Sequence, residues 1–512
     1  MALLRYTASA DTTIVNAFQP NLRIRGTGAN MGLADVMEVF SVYGRETTSS
    51  QELSRLLIKF PVSGITADRT NSVIPASGSV SFYLRLFNAK TSKTVPAEYT
   101  LKVFPVSQDW QEGIGLDLEG YADLTKGNTG ANWMSASNTV AWTASAGAAG
   151  GSYLTGTSDP NFGQTFSTGL EDLEINITPL VEHWMADTIS NYGVGVHLTS
   201  SQEAVFSSST GLNSGSVLNN TGGASTSYYT KRFFARGSQF FFKRPVIEAR
   251  WNSSVKDDRG EFVYSSSLAP GSANLNTLYL YNYVRGQLTN IPAIGSTGSV
   301  LVSLYSGSAK NLGPSGSKLL LYDGNTNLTG GYVSTGIYSC SVATTAAAST
   351  LQYLFDVWHS GSIEFFTGSI KPSVLSASQA VSSPVHYLNI TNLHGRYRSN
   401  ETARFNLYVR DKNWSPTIYT VANTTATSTT IHSASYKVYR ILDSYEAVPY
   451  GTGSEKHTVL SYDISGNYFD FDMNLLDPGY MYGFKFAFYD AALTSWVEQP
   501  YVFKFRVEDY GY

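Results

Sequence analysis

Cysteine is almost absent from this sequence, whose 512 residues include only Cys340. A single cysteine excludes an intrachain disulfide framework and a cysteine-based structural zinc site. The surrounding residues 338–342 alternate between larger and smaller side chains as a strand does. We therefore expect a buried thiol with a structural role rather than a nucleophile.

Charged residues are also scarce, at 14% of the chain against about 25% in average soluble domains. The 35 basic and 39 acidic residues give a net charge of −4, so no basic field is available to attract nucleic acid. One basic cluster lies among aromatic residues in an apparent strand region. It predicts a solvated strand face or a subunit contact, and consists of Lys231, Arg232, Arg236, Lys243, Arg244 and Arg250.

Long apolar runs are missing as well. Residues 1–6 lack the apolar core of a secretory signal. No stretch approaches the roughly 18–20 apolar residues of a membrane span. We therefore expect a protein that is made in the cytoplasm, does not insert into a membrane, and stays there or is assembled into a particle.

The sequence is rich in strand-forming and turn-forming residues, with 34 Tyr, 26 Phe and 45 Gly. Aromatic side chains pack well on a pleated surface, and the chain exceeds the roughly 250–300 residues that one core supports. Alternation of period two between turn-forming clusters indicates an all-β fold of tandem β-sandwiches. The strongest predicted strands cover residues 56–62, 80–87, 101–106, 278–284, 300–305, 405–410, 436–442, 484–488 and 502–507.

One short helix is predicted, over residues 179–188. Thr178 provides an N-cap, and Pro179 fits the first turn because its missing N–H has no partner there. The helix has one apolar face, so we expect Leu180 and Trp184 to be buried and His183 to be exposed. That face consists of Leu180, Val181, Trp184, Met185 and Ile189.

Two junctions suggest three domains. The first follows the aromatic run 240–242, and the second is the Ser/Ala-rich stretch 373–383. The predicted domains are residues 1–242, 243–378 and 379–512.

The first 200 or so residues resemble the DNRLRE domain, a β-sandwich module related to carbohydrate-binding modules. The segments that carry the resemblance occur in the family's order, at residues 10–14, 54–60, 79–87, 110–113, 175–184 and 191–196. Segment 54–60 (SRLLIKF) matches the family's characteristic strand, and segment 110–113 contains Trp110. The resemblance implies a jelly-roll-like sandwich with no catalytic activity.

The chain as a whole is similar to virion structural proteins of marine tailed phages, especially cyanophages. The similarity is carried by residues 244–251, 275–282, 356–362 and 401–405. It implies a structural component of the tail, neck or another outer surface of the virion. Its partners would be copies of itself, forming a symmetric homo-oligomer, and other phage virion proteins.

Residues 476–482 (LDPGYMY) have the spacing of a tyrosine corner, found in immunoglobulin-like and fibronectin type III sandwiches. In that motif the hydroxyl, here of Tyr482, bonds to nearby backbone. Phe484, Phe486 and Phe488 alternate afterwards, as the next strand requires. The motif predicts an immunoglobulin- or fibronectin-III-like C-terminal domain, and a generic turn is the alternative.

No catalytic, cofactor or metal residues are predicted, and the chain is not expected to be an enzyme. The seven histidines lack metal-ligand spacing. Carboxylates cluster at Asp109, Glu112, Asp117, Glu119 and Asp123. Glycosidases use paired carboxylates, so a hydrolase, a Ca²⁺ site and a solvated loop are the alternatives, and the solvated loop is favoured.

Trp133 and Trp142 lie in a Gly/Ala/Ser-rich region and are candidate glycan contacts, because a flat ring can stack on a pyranose. Packing in a core or an interface is the favoured alternative for each. If a host glycan is a partner, the chain would be an adhesin with a carbohydrate-binding module.

Overall fold

The fold is described from a computed structural model. It describes residues 2–92, 95–116, 130–138, 140–143, 149–207, 214–310, 312–321, 324–344, 351–375, 385–412 and 428–510. The chain forms two compact units. The first unit comprises Ala2–Asn252 with Glu455–His457, and the second comprises Ser253–Ser454 with Thr458–Tyr512.

The first unit contains thirteen named strands in its described residues. In chain order they are β1 (Leu3–Thr7), β2 (Ala10–Val15), β3 (Val36–Tyr43), β4 (Gln51–Lys59), β5 (Val80–Leu86), β6 (Tyr99–Pro105), β7 (Ser135–Ser137), β8 (Val140–Ala141), β9 (Phe162–Phe166), β10 (Leu173–Asn176), β11 (Val194–Leu198), β12 (Tyr228–Phe234) and β13 (Val246–Trp251).

Two sheets enclose the main core of the first unit. One has the order β1-β13-β5-β10, and the other has the order β12-β3-β4-β11-β6-β9 with β2 also paired to β4. Alternate residues of β5, which are Val80, Phe82, Leu84 and Leu86, lie in this core. They pack with residues of the second sheet such as Leu56 and Val196, as the alternating pattern predicts.

Strand β4 (QELSRLLIK) is buried on both faces, and its apolar residues do not alternate strictly with polar ones. Leu56 and Ile58 face the main core. Leu53 and Leu57 instead belong to a second core, formed with Trp110, Trp133 and Trp142. The residues that follow β6 therefore cover the outer face of this sheet.

Two α-helices occur in the described residues, α1 (Val62–Thr70) and α2 (Thr178–Met185). The sequence predicted only α2, and the predicted strand 56–62 runs into the start of α1. Pro61 explains the difference, because β4 ends at Lys59 and Pro61 is the N-cap of α1. The predicted end of α2 at residue 188 is three residues too late.

The predicted N-cap of α2 is wrong, although the predicted burial is correct. Ile177 is the N-cap and makes no side-chain capping bond. The Thr178 hydroxyl instead accepts a hydrogen bond from the Phe82 N–H at 2.8 Å, which ties the helix to β5. Leu180 and Trp184 are buried in the main core, and His183 is exposed as expected.

The second unit contains eighteen named strands in its described residues. They are β14 (Asn276–Tyr281), β15 (Tyr283–Val284), β16 (Gln287–Leu288), β17 (Val300–Gly307), β18 (Leu328–Ser334), β19 (Ile337–Val342), β20 (Tyr353–Ser360), β21 (Ile363–Ile370), β22 (His386–Ile390), β23 (Arg396–Arg398), β24 (Thr402–Asp411), β25 (Ala434–Arg440), β26 (Glu446–Val448), β27 (Ser461–Asp463), β28 (Gly466–Asp472), β29 (Met481–Asp490), β30 (Ser495–Glu498) and β31 (Phe503–Glu508).

Three larger sheets organise these strands, with the orders β14-β19-β18-β17-β20-β21, β22-β24-β28-β27 and β23-β31-β29-β25-β26. Cys340 on β19 is buried in the core of the first of these sheets, which confirms the expected buried thiol. Between the other two sheets, Phe405, Phe469 and Phe484 pack with ring centroids 4.9–5.2 Å apart. Aromatic packing of this kind supplies much of a β-sandwich core.

The tyrosine corner is present in the second unit. Tyr482 is 1% exposed, and its hydroxyl donates to the Asp477 carbonyl oxygen at 3.0 Å. Gly479, in the turn between them, has a φ of +89°, which glycine adopts without steric cost. Phe484, Phe486 and Phe488 then alternate inward on β29, so the generic-turn alternative is excluded.

The expected fold class is confirmed, because the structure is nearly all β with packed sheets. The chain divides after Asn252 at the level of compact units. The three-domain division at residues 242 and 378 stays a prediction. No helix in the described part of the chain is long and apolar enough to cross a membrane.

Candidate functional site

The two candidate glycan-contact tryptophans, Trp133 and Trp142, and the neighbouring Trp110 are all buried. Trp133 is 0% exposed, Trp142 is 5% exposed and Trp110 is 4% exposed. Their indole N–H groups donate to the carbonyl oxygens of Ser216, Asn132 and Tyr192 at 2.8–2.9 Å. Trp133 and Trp142 therefore offer no ring face to a sugar in this structure, and Trp110 has a structural position.

The acidic loop is tied down by basic residues. Asp109 pairs with Lys59 at 2.5 Å, and Glu112 forms a bidentate pair with Arg236 at 2.8–3.0 Å. Asp117, Glu119 and Asp123 lie outside the described residues. No group of three or more His, Cys, Asp or Glu side chains that could hold a metal ion occurs in the described part of the chain.

Two members of the basic cluster are buried rather than solvated, which corrects the expectation of a solvated strand face for those two residues. Lys231 and Arg250 are each 2% exposed. The Lys231 ammonium donates to Asn88 Oδ1 and to the carbonyl oxygens of Gly169 and Glu171 at 2.6–3.0 Å. Burial lowers the pKa of Lys231 to about 8. These cations brace loops and strands because buried charges must be paired.

A polar recess of about 610 Å³ in the second unit is the candidate site that the structure adds. One wall is the segment that precedes β14, with Asp258 and Glu261. The other wall contains His432, just before β25, and Tyr462 on β27. The Lys256–Tyr462 bridge and the bond from the Asp257 N–H to the Tyr462 carbonyl (3.0 Å) hold the walls together.

Four side chains form a continuous hydrogen-bonded row in this recess. The Tyr462 hydroxyl donates to Asp258 Oδ1 at 2.8 Å, because a carboxylate can only accept. His432 Nδ1, 3.2 Å from the same hydroxyl, must then be the donor in that contact. His432 Nε2 lies 3.0 Å from Glu261 Oε2. Both ring nitrogens therefore donate, which is the protonated form of histidine.

The pKa shifts agree with this assignment. The hydrogen bond between His432 and Glu261 raises the pKa of His432, and the same bond lowers the pKa of Glu261. Burial, together with the bond to Asp258, raises the pKa of Tyr462, so its phenol stays protonated. The row can hold charge and donate hydrogen bonds, but its phenol is not activated as a nucleophile. Its clearest capability is to brace three chain segments.

Sequence reasoning missed this row because Asp258 and Tyr462 are 204 residues apart. In the sequence, His432 is only one of seven histidines without metal-ligand spacing. One signal was available, because residues 256–259 (KDDR) form a dense run of charge in a chain with 14% charged residues. Such a run in a low-charge chain indicates charged side chains that form specific ion pairs or hydrogen bonds.

We expect Glu261→Gln to lower the pKa of His432, because the carboxylate that stabilises the imidazolium is lost. The folded pKa of His432 lies above the unfolded value, so the pair's stabilisation is complete below about pH 6.5 and is lost as the pH rises through the folded pKa. The pKa of Glu261 is lowered in the folded chain, so the contribution of this carboxylate is lost as the pH falls through its folded pKa. Because both side chains are well exposed, the total effect is below about 1 kcal/mol.

Titration of the histidine ring signals by nuclear magnetic resonance measures this shift. His386, which contacts Phe488 instead, is the internal control. An unchanged His432 titration in Glu261→Gln would show that the carboxylate does not stabilise the imidazolium.

Comparisons with known proteins do not place the chain in a family. No family model matches the sequence, and no curated protein matches it. Solved structures do overlap with parts of the chain, at low similarity. A chimeric titin Z1Z2-Z1Z2 tandem has a TM-score of 0.15 and 11% identity, over 48% of this chain and 93% of that chain.

The N-terminal Ig1-2 module of the Drosophila receptor protein tyrosine phosphatase DLAR has a TM-score of 0.14 and 7% identity, over 46% of this chain and 91% of that chain. Trypsin-activated alpha-2-macroglobulin from Escherichia coli has a TM-score of 0.15 and 9% identity, over 83% of this chain and 29% of that chain. TM-scores this low carry no argument about this protein.

Proposed function

We propose that this chain is a structural protein of a tailed-phage virion and that it works by adhesion between subunits. The observation that carries the proposal is the placement of charge. In the first unit, the buried carboxylate of Glu248 pairs with Arg85 and with Arg250, which are also buried. In the second, Asp356 pairs with Arg259 and is 0% exposed. Some of the few charged residues are thus buried in ion pairs inside the fold, and they do not contribute charge to the surface.

A low-charge surface suits protein contacts, because the cores of interfaces are depleted in charged residues. Exposed apolar side chains in the second unit add to this, including Leu312 (71% exposed), Leu442 (78%) and Ile464 (70%). The resemblance to phage virion proteins supports the same role and suggests the tail, neck or another outer surface.

Host-glycan binding is the alternative function. Its candidate contacts were Trp133 and Trp142, and the burial of both indoles removes the platform on which it relied. Neither tryptophan therefore favours glycan binding over the structural role.

Mass spectrometry and cryo-electron microscopy of purified particles of the encoding phage test the proposal. We expect the chain in many copies per particle, each burying at least about 1,000 Å² against its neighbours, the scale of a specific interface. Absence from purified particles, with the chain present in infected cells, would reject the virion role. Binding of the isolated chain to a glycan array would then support the alternative.

A further inference from the structure

Lys231, on strand β12 of the first unit, is a buried amine in contact with a side-chain amide. It is 2% exposed, and its Nζ lies 2.7 Å from Oδ1 of Asn88. The carbonyl oxygens of Gly169 and Glu171 accept from the same nitrogen at 3.0 and 2.6 Å and hold it in place. Because Cγ of Asn88 is one C=O bond from Oδ1, it lies within about 4 Å of Nζ.

The surroundings of Lys231 favour its uncharged form. The ring centroids of Phe166 and Phe233 lie 4.9 and 5.1 Å from Nζ. Burial lowers the pKa of Lys231 to about 8, against about 10.4 for an exposed lysine. A larger fraction of this side chain is therefore neutral near pH 7, and the neutral amine is the form that attacks a carbonyl carbon.

A carboxyl group, that of Asp172, lies beside this amine and amide. Its Oδ1 accepts a hydrogen bond from the backbone N–H of Asn88 at 2.7 Å, which holds the carboxyl next to the amide residue. Its negative charge also attracts the Lys231 ammonium. Burial raises the pKa of Asp172, as it lowers that of Lys231. Burial thus favours the uncharged forms of both groups, and a proton can pass between them.

We propose that Lys231 and Asn88 are joined by an isopeptide bond, which forms within the folded chain with Asp172 as the acid–base group. The Lys231 ammonium gives a proton to the Asp172 carboxylate, and the neutral Nζ attacks Cγ of Asn88. The Nζ–Cγ bond forms and the Cγ–Nδ2 bond breaks. Nδ2 takes a proton from Nζ through the Asp172 carboxyl and leaves as ammonia, which carries the first proton away as ammonium. The net reaction turns an ammonium and a primary amide into a secondary amide and an ammonium ion, and it needs no oxidant.

The bond links the two sheets of the first unit. Lys231 lies on β12 of one sheet, and Asn88 follows β5 of the other. Backbone hydrogen bonds of 3.0 Å already hold the two segments together, from the Ala89 N–H to Arg232 and from the Phe234 N–H to Phe87. A covalent link between residues 143 apart restricts the unfolded chain, as a disulfide across a long loop does. The inference is independent of the proposed virion role.

Mass spectrometry of the intact, denatured full chain tests the bond, because the linked chain is lighter than its sequence by one molecule of ammonia. Protease digestion then shows whether Lys231 and Asn88 occur in one branched peptide. Lys231→Met removes the nucleophile, and Asp172→Asn keeps the shape of the side chain but removes the acid–base group. Asp109→Asn is the matched control, because it makes the same change in the same unit at a side chain that is 71% exposed.

We expect the loss of ammonia in most molecules of the unaltered chain and of Asp109→Asn, and in none of Lys231→Met or Asp172→Asn. Hydrogen exchange of the β12 amides shows that each protein is folded. A folded, unaltered chain with the full mass of its sequence overturns the inference, whether or not the variants fold. Ammonia loss that maps to a single asparagine, as in succinimide formation, also overturns it. A branched peptide that persists in Asp172→Asn overturns the part assigned to Asp172.

Discussion

Replacing Glu248 by glutamine is expected to lower the free energy of unfolding of the first unit by about 3–5 kcal/mol, the cost of breaking a buried ion pair. The carboxylate is fully buried and contacts Arg5, Arg85 and Arg250 at 2.6–3.0 Å. Burial alone would raise the pKa of Glu248, but the three guanidinium groups hold it well below its usual range. Glutamine keeps the shape of the side chain and leaves these cations without their shared counter-charge.

Asp109→Asn is the matched control in the same unit. Its pair with Lys59 is similar in length, but the Asp109 side chain is 71% exposed. The expected loss is therefore below about 1 kcal/mol. Urea unfolding, monitored by hydrogen exchange of peptides from the first unit, gives the loss of unfolding free energy for each of the two variants. Equal losses for the two variants would show that burial of Glu248 does not set the strength of its ion pairs.

Replacing Trp184 by alanine is expected to cost about 3–5 kcal/mol, as for other large aromatic truncations in a core. Trp184 is 3% exposed and packs in the main core with Leu180. Helix α2 is further anchored by a bidentate ion pair between Glu182 and Arg69 of α1, at 2.7 Å. A cavity of indole size cannot be closed by movement of a helix that is held in this way.

Trp184→Phe is the control for that experiment. The indole Nε1 is buried and has no hydrogen-bond partner in the described structure. Phenylalanine therefore loses volume but no hydrogen bond, and it removes an unsatisfied donor. We expect a clearly smaller loss than for alanine. Unfolding of Trp184→Ala at the same urea concentration as the unaltered chain would contradict the buried position.

Sequence patterns with local causes predicted much of the fold. The tyrosine corner could be recognised because the hydrogen bond from Tyr482 to Asp477 spans five residues. The burial of Leu180 and Trp184 followed from one apolar helix face. Helix α1 was missed because its sequence (VSGITADRT) has no continuous apolar face, and only Val62 and Ile65 are buried. Each of these outcomes depends on side chains that are close in the chain.

The sequence by itself determined the all-β class, the position of α2 and the buried thiol of Cys340. It left the tyrosine corner and a generic turn as alternatives. Only the tertiary structure decided the rest. Whether Trp133 is a surface platform or a core residue depends on which segment covers the outer face of β4. The partners of Glu248 and Tyr462 lie up to 243 and 204 residues away. The physical reason is that distant segments of the chain decide what is buried and which charges pair on the second face of a strand. Local periodicity in the sequence contains no information about those segments.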